Sequence, residues 1–213
     1  MEIFEITTLS LQVSAIATLI SLFIGLPFGT WLALGNFRGR SFLLSIVNTG
    51  MALPPVVVGL VVAMTLWRSG PLGSLKLIYT PWAIIIAQTI ISAPVVMGLT
   101  AAALEALDPR VQQQLLGLGA SRPQMIWHLW REARLPLLAA LMAGFGSVIS
   151  EVGASMMVGG NIRGRTRVLT TAIVLETSKG EFEKALALSA LLLILTYLIN
   201  LALTTIQQRG ARK

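Results

Sequence analysis

The chain has 213 residues, of which 55% are apolar and only 12% are charged, and its mean hydropathy is +0.79. Soluble domains carry about 25% charged residues, so the composition excludes that class and indicates that lipid surrounds most of the chain. The net charge of +7 is scattered over short segments without a basic stripe, which favours lipid headgroups over nucleic acid as its partner. The absence of cysteine excludes disulfides, cysteine metal sites and thiol catalysis.

Five apolar runs divide the chain, and each exceeds the roughly 20 residues that cross a bilayer as a helix. They predict one domain, residues 1–213, built as an all-α polytopic membrane bundle of five transmembrane helices. The runs lie at residues 8–35, 42–67, 82–104, 135–158 and 184–206. No basic segment precedes the first run, which is too long for a cleaved signal, so we expect it to stay in the membrane.

The distribution of basic residues predicts the orientation, because short cytoplasmic loops collect Lys and Arg. Glu2 and Glu5 precede the first span without a base, whereas Arg38 and Arg40 follow it. The N-terminus is therefore predicted outside, with residues 105–134 and the C-terminus inside. The other bases predicted inside are Arg110, Arg122, Arg131, Arg134, Arg209, Arg212 and Lys213. The outer side holds Arg68, Lys76, Arg163, Arg165, Arg167, Lys179 and Lys184.

The loop between spans three and four is the most polar stretch of its length. Asp108 is suited to an N-cap and Pro109 to the first helical position, which predicts a helix that stops between Gly117 and Gly119. Ser121 and Gln124 have the spacing of a capping box. A second helix is therefore predicted from about Arg122.

The second loop helix has an apolar face made of residues at helical spacing. These residues are Met125, Ile126, Leu129, Trp130 and Ala133. Two helices about a glycine turn are suited to docking against another protein. An interfacial helix that rests on lipid headgroups through Trp127, Trp130 and Arg131 is an equally good interpretation.

Two prolines and one carboxylate interrupt the apolar spans. Pro54 and Pro55 each remove a backbone donor from span two, which either shapes a pathway or makes a packing kink. Glu151 is the acidic residue placed well inside a span, where burial is costly unless the group is paired. On a continuous helix it shares one face with Ser147 and Ser155. We favour a partner-bonded or protonated structural and gating role, because a bare carboxylate repels an anion.

The outer loop places Arg163, Arg165 and Arg167 close together. Such a cluster is suited to attracting a dianion towards an entrance, or to meeting an acidic rim on a binding protein. Pairing with the acidic residues of the same loop is an equally good interpretation. Those residues are Glu176, Glu181 and Glu183.

The sequence offers no catalytic machinery. His128 is the single histidine, so a metal site and a Ser/His triad have no support. No Gly-x-x-x-x-Gly-Lys-Ser/Thr motif is present, so ATP-driven transport requires the ATPase to be another polypeptide. Five spans make a thin bundle, which favours a homodimer with the pathway on the two-fold axis. A secondary transporter needs ion-coupling carboxylates, and within the spans only Glu151 qualifies.

Two stretches resemble the permeases of ATP-binding cassette (ABC) importers. The loop carries Gly-Ala-Ser at 119–121 and Leu-Pro at 135–136, as does the EAA loop that seats in a groove of the ATP-binding subunit. Gln113, Gln114 and Leu115 stand where the family pattern has Glu-Ala-Ala. The loop is also longer than the pattern by about one helical turn.

Residues 150–185, SEVGASMMVGGNIRGRTRVLTTAIVLETSKGEFEKA, are similar to the molybdate, tungstate and sulfate permeases. Ser150, Glu151 and Gly153 fall within the counterpart of the Gly-Glu-Phe-Gly-Ala core of those proteins. The segments VGGNI and RVLTTAIVLET are most similar to those of the tungstate permeases.

The resemblance implies a type I ABC importer permease for an oxyanion, tungstate first and molybdate or sulfate as alternatives. It implies a homodimer in a prokaryotic plasma membrane, with two ATP-binding subunits and an extracytoplasmic binding protein. No cofactor is expected in this chain, since ATP is bound by the partner subunit. The implied ATPase-docking residues are Gln113, Gln114, Gly117, Gly119, Ala120, Ser121 and Arg122. The pathway and gating candidates are Pro54, Pro55, Ser147, Glu151 and Gly153.

Overall fold

The computed structural model describes the backbone of residues 2–211 and the side chains of residues 2–208. Within those residues the regular structure is helical, with a 3-10 turn at Gly73–Leu75, which confirms the all-α prediction. The α-helices in chain order are α1 (Glu2–Leu34), α2 (Arg40–Met51), α3 (Pro55–Leu66), α4 (Pro81–Glu105), α5 (Pro109–Gly117), α6 (Arg122–Glu132), α7 (Arg134–Ile149), α8 (Gly153–Gly159), α9 (Leu169–Ser178) and α10 (Phe182–Ala211).

Three helices, α1, α4 and α10, are long and apolar enough to cross a membrane unaided. They correspond to the predicted first, third and fifth spans. Helix α4 is the centre of the bundle, because 61% of its apolar window is buried against 6% for α10. It packs on α1, α2, α3, α7 and α8. Most of α10 therefore offers its apolar surface to lipid or to another chain.

The second predicted span is broken where the sequence indicates. Helices α2 and α3 meet at a bend of 97°, with Pro54 at the N-cap of α3 and Pro55 at its first position. Neither Pro27 in α1 nor Pro94 in α4 ends its helix. A single proline is accommodated inside these spans, whereas the adjacent pair starts a new helix in a new direction.

The fourth predicted span is not the continuous helix that its apolar run suggests. Helix α7 ends at Ile149 and α8 begins at Gly153, so Glu151 lies in the link between them. The prediction that Ser147, Glu151 and Ser155 share one helix face is therefore wrong. A further bend of 75° separates α6 from α7.

The ends of the bundle hold different charged groups. At the end that we call the α5–α6 end, Arg40 forms an ion pair with Glu105 and donates from Nε to the Leu32 carbonyl at 2.7 Å. At the opposite end of the bundle, which we call the Glu2 end, Arg163 and Arg167 pair with Glu2.

The C-terminal helix also reaches the α5–α6 end, where Gln207 Nε2 donates to the Leu135 carbonyl at 3.0 Å. Residues 38–40, the 105–134 loop and the end of α10 thus share one side, as predicted. The predicted inner bases Arg209, Arg212 and Lys213 lie outside the described side chains.

Candidate functional site

Helix α5 has both of its ends closed by local hydrogen bonds. Asp108 Oδ1 accepts from the Arg110 amide at 2.8 Å, which is the predicted N-cap. At the other end the Ala120 amide donates to the Leu115 carbonyl and the Gly119 amide to the Leu116 carbonyl, both at 3.0 Å. This pair of bonds is a Schellman motif, and it places Gly119 at φ +80°, a conformation that glycine adopts at little cost.

Helix α6 begins at Arg122, as the capping box predicts. Gln124 Oε1 accepts from the Ser121 amide at 2.8 Å and from Ser121 Oγ at 2.9 Å. One of the four unpaired amides at the start of the helix is satisfied in this way. The turn between α5 and α6 is therefore fixed on both sides by its own residues.

The apolar face of α6 packs on protein. Met125, Leu129 and Ala133 are buried together with Leu104 of α4. Trp130 Nε1 donates to Thr30 Oγ1 of α1 at 2.9 Å, which ties α6 to the first span. An interfacial helix directs this face into lipid, so the packing favours the docking interpretation of the loop.

The predicted docking residues surround the α5–α6 turn and face outwards. Ala120 is half-buried, and the others are exposed, namely Gln113, Gln114, Gly117, Gly119, Ser121 and Arg122. Leu118 lies at the tip of the turn with 85% of its surface exposed. Sequence analysis did not single it out, because a leucine in a membrane protein carries no special signal. The outer surface of the loop is thus mainly polar, and Leu118 is the most exposed of its apolar side chains, ahead of Trp127 and Leu116.

The two broken spans meet at the centre of the structure. A Cβ on Gly59 of α3 would lie 2.6 Å from the Ala154 Cα of α8. A Cβ on Gly153 would lie 2.5 Å from Val56 Cγ2. Only glycine permits this approach, and it brings the Pro54–Pro55 break and the Glu151 break next to each other.

The Glu151 carboxylate is held by the backbone of the break. Its side chain is buried, and Oε1 accepts from the Ala154 amide at 2.8 Å, in the first turn of α8. Thr170 Oγ1 of α9 donates to the Glu151 carbonyl at 2.9 Å. The first bond gives the buried carboxylate a partner from the protein, which its cost in lipid requires, and the second fixes the backbone of the break.

A buried glutamine bonds to both sides of the break between α7 and α8. Gln88 of α4 donates from Nε2 to the Val148 carbonyl at 3.1 Å and to Ser155 Oγ at 3.4 Å. It therefore gives a further donor to the Val148 carbonyl at the end of α7, which also accepts from the Glu151 amide at 3.2 Å. Sequence analysis missed Gln88, although an amide within the apolar run 82–104 was an available signal. Ser147 is not part of this group, because its hydroxyl donates to the Gly144 carbonyl of its own helix at 2.7 Å.

The arginines of the predicted outer loop do not act as one cluster. Arg163 Nη2 lies 2.5 Å from Glu2 Oε2 and Arg167 Nη1 lies 3.2 Å from Glu2 Oε1. The Arg165 side chain forms no ion pair or side-chain hydrogen bond within the described residues.

The interpretation that the arginines pair with Glu176, Glu181 and Glu183 is wrong. Glu176 pairs with Lys179 at 2.7 Å and Glu181 with Lys184 at 3.3 Å. The hydrogen bond from Lys179 lowers the pKa of the Glu176 carboxyl below its ordinary value.

This architecture defines a class of protein. An all-helical membrane bundle, with two broken spans packed at its centre and a capped helical turn exposed at one end, is suited to a membrane transport subunit. The chain belongs to the family described as binding-protein-dependent transport system inner membrane component, which matches residues 25–213. It is therefore a multi-pass membrane transport permease.

Related permeases match over most of the chain. A probable anion ABC transporter permease protein of Haloferax volcanii is 40% identical over 92% of this chain and 87% of its own. The tungstate uptake system permease protein TupB of Peptoclostridium acidaminophilum is 38% identical over 97% of this chain and 91% of its own. The molybdenum transport system permease protein ModB of Escherichia coli K12 is 29% identical over 81% of this chain and 80% of its own.

Solved structures share the fold. An inward-facing form of the MetNI methionine ABC transporter superimposes with a TM-score of 0.75 at 21% identity, over 95% of this chain and 93% of that one. An amino acid ABC transporter solved with histidines gives a TM-score of 0.70 at 18% identity, over 97% of this chain and 93% of that one. The type I ABC importer permease fold, predicted from the sequence, is confirmed.

Proposed function

We propose that this chain is the permease subunit of an ATP-driven importer of an oxyanion and that the oxyanion is tungstate. The observation that carries the proposal is the 38% identity to a tungstate permease along 97% of the chain. The second candidate is molybdate, because the molybdenum permeases match at 27–29% identity over similar lengths. Sulfate is the remaining alternative from the sequence motifs.

The ATPase is a separate subunit that docks on the α5–α6 turn, and ATP binds to that subunit. The exposed Leu116 and Leu118, with polar residues on either side of the turn, support this location, since interfaces bury an apolar centre within a polar rim. The capped turn supports it as well, because a rigid element transmits motion better than a loose loop. The permease itself carries out no hydrolysis.

The pathway forms between two copies of this chain. The exposed face of α3 is apolar and follows the Pro54–Pro55 break, with Val57, Val61 and Met64 each about half-exposed or more. A second copy related by a two-fold axis would cover or oppose this face. The α3–α8 contact then lies beside the pathway, where the Glu151 break is suited to gating.

The N-terminus lies outside and the α5–α6 end faces the cytoplasm. The presence of Arg38, Arg40 and the basic loop at one end of the bundle supports this orientation. Single cysteines at Ser74 and Gly119 test it in a chain that has none of its own. An impermeant reagent applied to intact cells should label the first and not the second.

An ATP-independent secondary transporter is the alternative from a different class. Such a transporter needs a carboxylate free to bind the coupling ion. One oxygen of the Glu151 carboxylate instead accepts from the Ala154 amide at the start of α8, and this structural role favours the ATP-driven importer.

Co-purification separates the two classes. The chain is expressed with candidate ATP-binding subunits and a tagged binding protein encoded nearby. The proposal predicts a complex with two permeases, two ATP-binding subunits and one binding protein, which mass photometry measures. A permease that purifies without any ATP-binding subunit from such cells contradicts the ABC assignment.

A further inference from the structure

The basic side chains at the Glu2 end fall into two groups. Four of them pair with acidic side chains, namely Arg163, Arg167, Lys179 and Lys184. Three form no ion pair within the described residues, namely Arg68, Lys76 and Arg165. All three unpaired bases line a single cavity of about 780 Å³, and none of the acidic residues that the structure describes lines it with them.

A neighbouring cavity at the same end provides the contrast. Its volume is about 470 Å³, and its lining holds Glu2 and Glu176 beside their basic partners. Two carboxylates face four bases there, so some of the positive charges are compensated by the protein itself. In the larger cavity they are not, so it attracts anions more strongly.

The walls of the larger cavity are held in place by hydrogen bonds and close packing. The 70–73 loop folds back on the end of α3, where the Leu72 amide donates to the Thr65 carbonyl at 3.0 Å. A Cβ on Gly73, which lines the cavity, would clash with the Trp67 carbonyl oxygen, so the fold requires glycine there. The Tyr79 amide donates to the Val158 carbonyl of α8 at 3.0 Å, and the Tyr79 ring packs edge-on against Trp67.

Backbone strain is concentrated around the same cavity. Among the described residues, the non-glycine positions with left-handed φ are Lys76 at 51°, Tyr79 at 61° and Asn161 at 51°. Lys76 and Tyr79 line the cavity, and Asn161 precedes Ile162, which also lines it. Strained residues of this kind cost free energy and gather at binding sites, because the surrounding structure must hold them in place.

We propose that the cavity formed by Arg68, Lys76 and Arg165 is a binding site for a tetrahedral oxyanion at the outer end of α3. One ammonium and two guanidinium groups provide charge-assisted hydrogen bonds to such an ion. The bases are exposed, so binding is weak and reversible, which is suited to holding an ion before it enters the pathway. That the bound ion is the transported substrate rests on the proposed function, and a lipid phosphate group has the same chemistry.

Chemical footprinting on the purified full-length chain tests the site. Lysines are acetylated briefly with an N-hydroxysuccinimide ester, and mass spectrometry measures the rate at each one. Sodium tungstate should slow acetylation of Lys76, compared with sodium chloride at equal ionic strength. Lys179, at the same end but paired with Glu176, is the internal reference and should not change.

Variants assign the protection to the site. Arg165→Ala should weaken the protection of Lys76 by tungstate roughly fivefold, which is the loss expected for one exposed charge contact. Arg163→Ala is the matched control, since Arg163 pairs with Glu2 and lines the other cavity. It should leave the protection unchanged.

A second arm distinguishes the source of the oxyanion. The chain is also footprinted in nanodiscs of phosphatidylcholine with and without phosphatidylglycerol. Protection by phosphatidylglycerol alone, lost in Arg165→Ala, supports the site with a lipid phosphate as its ligand. Lack of protection by either ligand, protection only by the external binding protein, or equal protection in Arg165→Ala and the original chain overturns the proposal.

The failure of this proposal is distinguishable from the failure of the proposed function. If the complete complex imports tungstate with ATP while Lys76 is never protected, only the site is wrong. If Lys76 is protected but the complete complex imports no oxyanion, the site stands and the importer assignment fails.

Discussion

Trp130 of α6 donates its indole N–H to Thr30 Oγ1 of α1 over 2.9 Å, although 100 residues separate them in sequence. The bond joins the loop that we propose as the ATPase dock to the longest helix of the bundle. Thr30 is buried and Trp130 is half-buried, so water competes weakly for either group. We therefore expect a movement of α6 to be transmitted to α1.

Removal of this bond should weaken coupling. Trp130→Phe keeps an aromatic ring and loses the donor, which should cost about 0.5–1.5 kcal/mol of stability and lower uptake per ATP hydrolysed. Thr30→Val should do the same, and the double variant should be little worse than either. Trp127→Phe is the control, since Trp127 is 59% exposed on the same helix. Equal coupling in Trp127→Phe and Trp130→Phe counts against the role of the bond.

The Gly119 turn should not tolerate a β-branched residue. Gly119→Val places a side chain at φ +80°, at a cost of about 1–2 kcal/mol, and should reduce binding-protein-stimulated ATPase activity and uptake together. Gly146→Val is the control, because Gly146 lies on α7 outside the loop, has no positive φ and has nothing within 4 Å of an added Cβ. Normal stimulated activity in Gly119→Val excludes this turn from the docking joint.

The sequence predicts most of the helices and the loop for local reasons. The apolar runs of α1, α4 and α10 are long enough by themselves to require a membrane, and Asp108, Ser121 and Gln124 mark helix ends through contacts within four residues. Pro54 and Pro55 act in the same way, because proline restricts its own backbone. Each of these signals can be recognised without knowledge of the fold.

The break at Glu151 could not be predicted in that way. Residues 150–152 contain no proline, and the link depends on Gln88 and Thr170, which approach only after α4 and α9 have packed. The partner of Arg163 is also distant in sequence, since Glu2 lies 161 residues away. The acidic residues nearest in sequence were the natural candidates, and they pair with nearby lysines instead.

The packing of α3 on α8 should be sensitive to one methyl group. Gly59→Ala introduces a Cβ 2.6 Å from the Ala154 backbone, which cannot yield as a side chain can, and it should cost about 1–3 kcal/mol. Gly146→Ala on α7 adds the same group where nothing lies within 4 Å. The thermal midpoint of the purified chain measures both. Equal midpoints for the two variants show that the close approach is not required.

Two variants of Glu151 separate the role of its hydrogen bond from the role of its charge. Glu151→Gln keeps an acceptor for the Ala154 amide and should fold well, whereas Glu151→Leu leaves that amide without its partner and should cost about 1–3 kcal/mol. If the charge itself keeps the resting gate closed, Glu151→Gln alone should raise basal ATPase activity or leak.

Ser147→Ala is the matched control for Glu151, because Ser147 bonds only within its own helix and should be neutral. Folding yield, leak and uptake are measured in reconstituted complex. Normal values of all three in Glu151→Leu refute both roles.

The most direct test of the central claim is tungstate accumulation in proteoliposomes that hold this chain with its ATP-binding subunit, with binding protein on the outer side of the bundle. The account predicts accumulation that requires ATP and the binding protein together, and that prefers tungstate over molybdate and sulfate. Accumulation by this chain alone, driven by an ion gradient and indifferent to ATP, would contradict it.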